Sequence, residues 1–160
     1  MNNIDIPLLS MGNPVFQTYL ITASIMLLKL MIQPWITVVR MMKVNAGFRS
    51  PEDMKKTPLN KEPNEHQLEV NEYVDRSRRI NLNDLESIPA FLAAGLLFVM
   101  VGPSLMLAQI MLWGYVAARA LHFIAYMTAQ IHDVRATFWT FSSLSVLFMT
   151  GYVLVQAIFA

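Results

Sequence analysis

Apolar residues in this chain do not alternate with polar ones; they gather in four long runs, at about 15–42, 82–101, 105–129 and 138–159. Each run is long enough to cross the hydrocarbon of a bilayer, which takes about 20 residues of helix. From Ser87 to Ala118 no residue is charged, a length that would cross twice if it were broken once. Gly102-Pro103-Ser104 supplies the break, because proline cannot continue the helical hydrogen-bond ladder and glycine permits a reversed backbone. From Ala136 to Ala160 the chain is again uncharged. The pattern predicts helices at about 15–42, 67–101, 105–129 and 136–159, with a polar loop at about 43–76. The expected fold is therefore all-α, an integral membrane four-helix bundle forming one domain over residues 1–160.

Composition agrees with that pattern and removes several classes of function. Of 160 residues, 55% are hydrophobic and only 14% charged, against about 25% charged in an ordinary soluble domain; the mean hydropathy is +0.43. The net charge of +1 does not suit a nucleic-acid binder. With no cysteine the chain has no disulfide framework, no thiolate metal site and no cysteine nucleophile, so any reactive sulfur must arrive on a ligand. His66 and His132 stand in loops without companions at ligand spacing, and no metal is expected. The twelve methionines and nine phenylalanines are read as bundle packing and lipid contact.

The charges are unevenly placed, and this sets the orientation. Nine of the twelve Lys and Arg fall between Arg40 and Arg79. Lys43, Arg49, Lys55, Lys56, Lys61, Arg76, Arg78 and Arg79 lie between the first two apolar runs, whereas the N-terminal segment, the Gly102 turn and the C-terminal tail carry none. Basic short loops stay on the cytoplasmic side, so the long loop is expected in the cytosol and both termini in the lumen. That loop holds Pro51, Pro58 and Pro63 among acids and lysines, a composition expected to be solvated and mobile. No basic region or small-residue cleavage pattern precedes the first apolar run, which is read as an uncleaved anchor.

Ionisable residues inside the spans carry the chemistry, because a charge in hydrocarbon is costly and must face the bundle interior. Arg119 lies 11 positions before Gln130, about 16 Å along the helix from that end. His122 and Tyr126 follow at i+3 and i+7, so a cation, an imidazole and a phenol share one stripe. In the second helix Arg76, Arg79, Asn83 and Glu86 form a second stripe, with Arg78, Asn81 and Asp84 beside it. In the first, Lys29, Gln33 and Arg40 fall on one face, and Arg135 opens the fourth. Taken singly, the loop lysines and Arg49 read as topology determinants or headgroup contacts, Lys29 as the structural partner of a buried acid with Glu86 the candidate, and Asp84 as an interhelix contact. Taken together, the two stripes describe a polar, net-positive cavity between helices. Such a cavity suits a small hydrophilic molecule with several carboxylates, held by arginines, and an amine, held by an acid such as Glu86.

These residues resemble the MAPEG family, the membrane-associated proteins in eicosanoid and glutathione metabolism, and within it the microsomal glutathione transferase branch. Phe48-Arg49-Ser50-Pro51-Glu52-Asp53 resembles the family's Phe-Ala-Asn-Pro-Glu-Asp, and Arg78-Arg79-Ile80-Asn81-Leu82-Asn83-Asp84-Leu85-Glu86 its Arg-Arg-Ala-His-Leu-Asn-Asp-Leu-Glu. Ala118 to Tyr126 resembles Ala-Arg-Ile-Tyr-His-Thr-Ile-Ala-Tyr, with Arg135 sixteen residues beyond Arg119 as in the family. Lys29, Arg40 and Gly102-Pro103 fall in matching order.

The resemblance implies a homotrimer in the endoplasmic reticulum membrane, with the mitochondrial outer membrane as a further location, and glutathione bound between subunits near the cytosolic surface. It implies a glutathione site of Arg40, Arg78, Arg79, Asn83, Glu86, Arg119, His122, Tyr126 and Arg135, with Arg135, Asp53, Arg119 and Tyr126 as the catalytic set. By the same resemblance Arg135 stabilises the thiolate and Asp53 positions Arg135. The implied activity is conjugation of glutathione to lipophilic electrophiles that arrive through membrane lipid, together with reduction of lipid hydroperoxides. Alternatives from the same family are a prostaglandin E synthase-type isomerase and a non-catalytic scaffold presenting lipid; a small transporter lacks the internal repeat that fold uses. The chain departs from the family pattern at Asn81 in place of histidine, at Pro89 one position early, and in two extra residues between Arg40 and Asp53. The loop from Asp53 to Asn83 is also longer. Ala136 stands where the prostaglandin branch has serine, and Met54 where the mammalian transferase has an activating cysteine.

Overall fold

Asn13 opens the first helix by accepting a hydrogen bond from the Val15 backbone amide through its side chain, with Pro14 at the first helical position, where its missing N–H costs nothing. The helix, α1, runs Pro14–Val44 and ends on Asn45 in the left-handed conformation, φ 48°. α2 spans Glu72–Met100, α3 Leu105–Met127 and α4 His132–Phe159. In this computed structural model residues 7–159 are described; residues 1–6 and Ala160 lie outside them, and so do the ends of the two tails expected in the lumen.

All four helices are long and apolar enough to cross a membrane. The α2–α3 turn is the expected one: Gly102 adopts φ 64°, a conformation that favours glycine, and the Ser104 side chain caps α3. α2 starts five residues later than the polarity pattern predicts because the Asn71 side chain accepts from the Tyr73 and Val74 amides and so fixes the N-terminus there. α4 starts four residues early, at His132, after a tight reversal at Ala129, φ 57°.

α1 packs chiefly on α2, and α3 on α4. The half of the core away from the long loop is apolar, with Tyr19, Met26, Phe91, Phe98, Leu112, Tyr115 and Met149 among its buried members. The Phe91 and Tyr115 rings stack at 3.9 Å, and the Tyr115 hydroxyl is 2.8 Å from Ser87 Oγ. α1 and α2 approach closely at Gly95, where an added Cβ would stand 3.0 Å from the Tyr19 ring. Trp35, Leu28, Met31, Phe141 and Phe148 point outward, as lipid-facing residues do.

The long loop is mostly exposed, as expected, but it is not without structure. It carries two short 3-10 turns, Pro51–Met54 and Glu65–Leu68, gathered around Gln67, which is fully buried. Gln67 Nε2 donates to Asn45 Oδ1 at 2.6 Å and to Asn60 Oδ1 at 3.0 Å, and its Oε1 accepts from Asn60 Nδ2 at 2.8 Å. The Phe48 amide donates to the Gln67 carbonyl at 2.8 Å. The loop is thus tied back to the end of α1 by amide side chains, a mode that hydrophobic patterning cannot register.

Candidate functional site

Three polar groupings sit near the loop end of the bundle. The first is a cleft of about 440 Å³ walled by α2, α3 and α4. α2 contributes Asn83 and Glu86; α3 contributes His122 and Tyr126, one turn apart; α4 contributes Arg135 and Trp139, also one turn apart. Tyr126 is the centre of the arrangement. The Arg135 guanidinium lies over its ring at 4.6 Å from the centroid, a cation–π contact. The His122 ring meets it edge-on at 5.0 Å, and Asn83 Nδ2 donates to its hydroxyl at 3.5 Å. Asn83 is itself held by the Arg79 carbonyl at 2.8 Å.

Several groups here have no partner among the described residues. His122 Nδ1 and Arg135 Nε are buried without a hydrogen bond, and among the described residues neither Arg135 nor Glu86 enters an ion pair. Buried polar groups are ordinarily satisfied, so the cleft presents a free cation, a free carboxylate and a phenol to whatever enters. That set complements a molecule bearing both carboxylate and ammonium groups.

The second grouping lies behind the cleft, inside the bundle. Asp84 accepts from Lys29 Nζ through Oδ2 and from Arg119 Nη2 through Oδ1. The Asp84 and Arg119 side chains are fully buried, and that of Lys29 is 16% exposed. The acid that pairs with Lys29 is therefore Asp84 rather than the expected Glu86. The two acids are two residues apart, about 200° round the helix at 3.6 residues per turn, so Asp84 turns inward while Glu86 turns to the cleft. Gln33 continues the inward face of α1 by donating to the Ser77 carbonyl and hydroxyl at 3.1 and 2.9 Å, and Thr37 Oγ1 is 2.9 Å from the same hydroxyl.

The third grouping is a groove of about 500 Å³ between α1 and α2, with Arg49, Arg78, Arg79 and Asn81 at its polar end and Pro34, Val38, Leu82 and Leu85 at its apolar end. Arg78 donates to Asp75 at 2.8 Å and to the Gly47 carbonyl, and Arg79 pairs with Glu72. Arg40 is buried; it donates to the Tyr73 carbonyl at 2.8 Å and covers that tyrosine's ring at 4.2 Å.

Of the residues singled out from the sequence, Asn83, Glu86, His122, Tyr126 and Arg135 come together in one cleft. Arg119 stands behind it, Arg78 and Arg79 face the α1–α2 groove, and Arg40 is enclosed by its own chain. Asp53 lies on the exposed turn Pro51–Met54, where its backbone carbonyl accepts from Asn60 Nδ2 at 3.1 Å. No ion pair joins it to Arg135 among the described residues. His132 and Trp139 line the cleft without having been expected there. Their spacing of −3 and +4 from Arg135 is the helical signal that would have found them.

A four-helix protein of membrane-spanning length, with a polar cleft carrying one arginine and one carboxylate between its second, third and fourth helices, is the class that fold and site define. Residues 18–155 match the MAPEG family, and the chain belongs to it. Its relatives include microsomal glutathione S-transferase 1 of Rattus norvegicus, 39% identical over 119 residues, which are 74% of this chain and 75% of the relative. The Homo sapiens protein of the same name is 34% identical over 126 residues, 79% of this chain and 80% of its own. Prostaglandin E synthase of Homo sapiens is 25% identical over 150 residues, 93% and 94% of the two chains.

Proposed function

We propose that this protein is a membrane-bound glutathione transferase, conjugating glutathione to lipophilic electrophiles and reducing lipid hydroperoxides at the expense of the same thiol. The observation that carries the reading is the gathering of Arg135, Tyr126, His122, Asn83 and Glu86 in one cleft, with Arg135 Nε and His122 Nδ1 unpartnered among the described residues, in a chain that has no thiol of its own. The names of the relatives supply the cosubstrate.

Glutathione supplies a thiol whose ionised form is the nucleophile, and thiols of ordinary pKa, about 8.5, are mostly protonated at neutral pH. We assign the ionised sulfur to Arg135, whose side chain lines the cleft with its guanidinium steadied over Tyr126. The Tyr126 hydroxyl can donate to the same sulfur while Asn83 holds it from behind. Glu86 offers the counter-charge for the ammonium group. The cleft opens between helices, so apolar substrates reach it from the bilayer, where proximity raises the encounter rate.

Arg78, Arg79, Arg40 and Asp53 lie away from the cleft of their own chain. In the proposed homotrimer the α1–α2 groove of one subunit faces the cleft of the next and completes the site with its arginines, and Asp53 reaches Arg135 across that boundary. The loop and cleft face the cytosol and the termini the lumen, in the endoplasmic reticulum membrane, with the mitochondrial outer membrane as a further location.

The test is conjugation of an aryl halide by detergent-purified protein. Arg135→Ala should lose about 100-fold in kcat/KM, the scale of one preorganised electrostatic contact at a reacting charge, and Tyr126→Phe about 10-fold. A wild-type protein that neither binds glutathione nor conjugates the halide would refute the reading. The isomerase alternative is favoured by the prostaglandin E synthase relative, which spans nearly the whole chain; an endoperoxide substrate assayed beside the halide decides between them.

A further inference from the structure

Lys29, Asp84 and Arg119 are two cations and one carboxylate enclosed within a membrane bundle. If the cluster served only to join helices, one cation would suffice, and a second without a second acid adds a charge to desolvate. Apolar packing commonly does as well as a buried ion pair, and intramembrane charges by default mark function. Arg119 also keeps Nε and Nη1 buried without a partner, as His122 keeps Nδ1. The excess charge lies behind the cleft, whose lining includes none of the three side chains. Arg119 is one helical turn before His122, and Asp84 is next in sequence to Asn83. The Phe123 ring, 5.2 Å from Lys29 Nζ, lies between α1 and α3.

Resting on the reading of the cleft as a glutathione site, we propose that Lys29, Asp84 and Arg119 act as a positioning cluster that stores one uncompensated positive charge behind the cleft and stabilises the bound thiolate at a distance. The ionisable groups lining the cleft are Glu86 from α2, His122 and Tyr126 from α3, and His132 and Arg135 from α4; α1 contributes none to the lining, and Lys29 acts from behind it. A unit charge on the order of 10 Å away at an effective dielectric of about 20 shifts a neighbouring titration by about one pH unit. The cluster therefore adds about tenfold to the thiolate fraction at a pH below the midpoint.

Charge count separates this from a purely structural role. Wild type holds +1, Lys29→Arg keeps +1, Lys29→Gln and Arg119→Gln each leave zero, and Lys29→Gln/Asp84→Asn restores +1 with a neutral pair. The measurement is the ultraviolet thiolate absorbance of glutathione bound to the purified full chain, followed against pH, with calorimetry to establish binding and circular dichroism to establish folding. The midpoint should rise by about one unit in whichever zero-charge variants fold, and should return to the wild-type value in Lys29→Arg and the double variant. Zero-charge variants that titrate with wild type, or a double variant that follows Lys29→Gln, would overturn the proposal while leaving the cleft reading intact. Wild type that binds no glutathione would overturn the cleft reading itself, and this inference with it.

Discussion

Gln67→Leu tests whether a single buried amide holds the long loop against the end of α1. The replacement keeps a similar volume in a fully buried position, so the change is mainly polar. Four hydrogen bonds of the Gln67 side chain vanish: three, to Asn45 Oδ1 and to both ends of the Asn60 amide, at 2.6, 3.0 and 2.8 Å, and a long one of 3.5 Å accepted from the Asn64 amide, which adds little. Asn60 Nδ2 keeps its bond to the Asp53 carbonyl, whereas Asn45 Oδ1 loses its only side-chain donor. At about 1 kcal/mol net for each hydrogen bond, the loop loses about 2–3 kcal/mol of local stability. With 1.4 kcal/mol to each factor of ten, the opened population rises about 30- to 150-fold. Lys55, Lys56 and Lys61 are exposed on this loop, so limited trypsin digestion in detergent reads the opening directly. Cleavage should accelerate by that factor while the helical circular dichroism stays constant. An unchanged rate would refute the account, because the loop would then be held by something other than Gln67.

Asp84→Leu leaves Lys29 and Arg119 enclosed without a counter-charge and should cost about 3–5 kcal/mol, measured as the shift in detergent or thermal unfolding; a shift below 1 kcal/mol would mean that the acid is not what holds the two cations. Gly95→Ala places a Cβ 3.0 Å from the Tyr19 ring and should destabilise by about 1–3 kcal/mol through overpacking. Tyr19→Leu in the same chain should recover most of that, and a double variant as unstable as the single one would contradict the steric explanation. Asn83→Ala frees the Tyr126 hydroxyl from its neighbour and should lower kcat of halide conjugation several-fold more than it raises the KM for glutathione; the reverse split would make Asn83 a binding contact instead.

The four spans were legible because runs of apolar residues and one Gly-Pro break state them directly; α1, α3 and the α2–α3 turn lie close to where patterning puts them. The start of α2 was not, because Asn71 caps it by a local hydrogen bond that hydropathy does not register. Among the site residues, those that helical spacing aligned on α3 stay aligned, but facing the same way is not facing the same space. Arg119 points to Asp84 while Tyr126, two turns on, reaches the cleft. The choice between Glu86 and Asp84 as the partner of Lys29 turned on a 200° rotation about α2, which needs the relative orientation of two helices. Gln67 gave no signal at all, being one polar residue among many in a polar segment.

α4 contributes Arg135 and Trp139 to the cleft, yet only Ser142 and Met149 along its 28 residues are buried by the rest of the chain. A wall that packs chiefly on α3 and leaves most of its length exposed is expected to take part of its tilt from whatever solvates its outer side. The position of Arg135 is then expected to follow the surrounding amphiphile, which would make bilayer thickness and detergent chain length variables of the proposed chemistry. Turnover measured across phosphatidylcholines of graded acyl length would then trace an optimum, with the protein's covalent structure unchanged throughout.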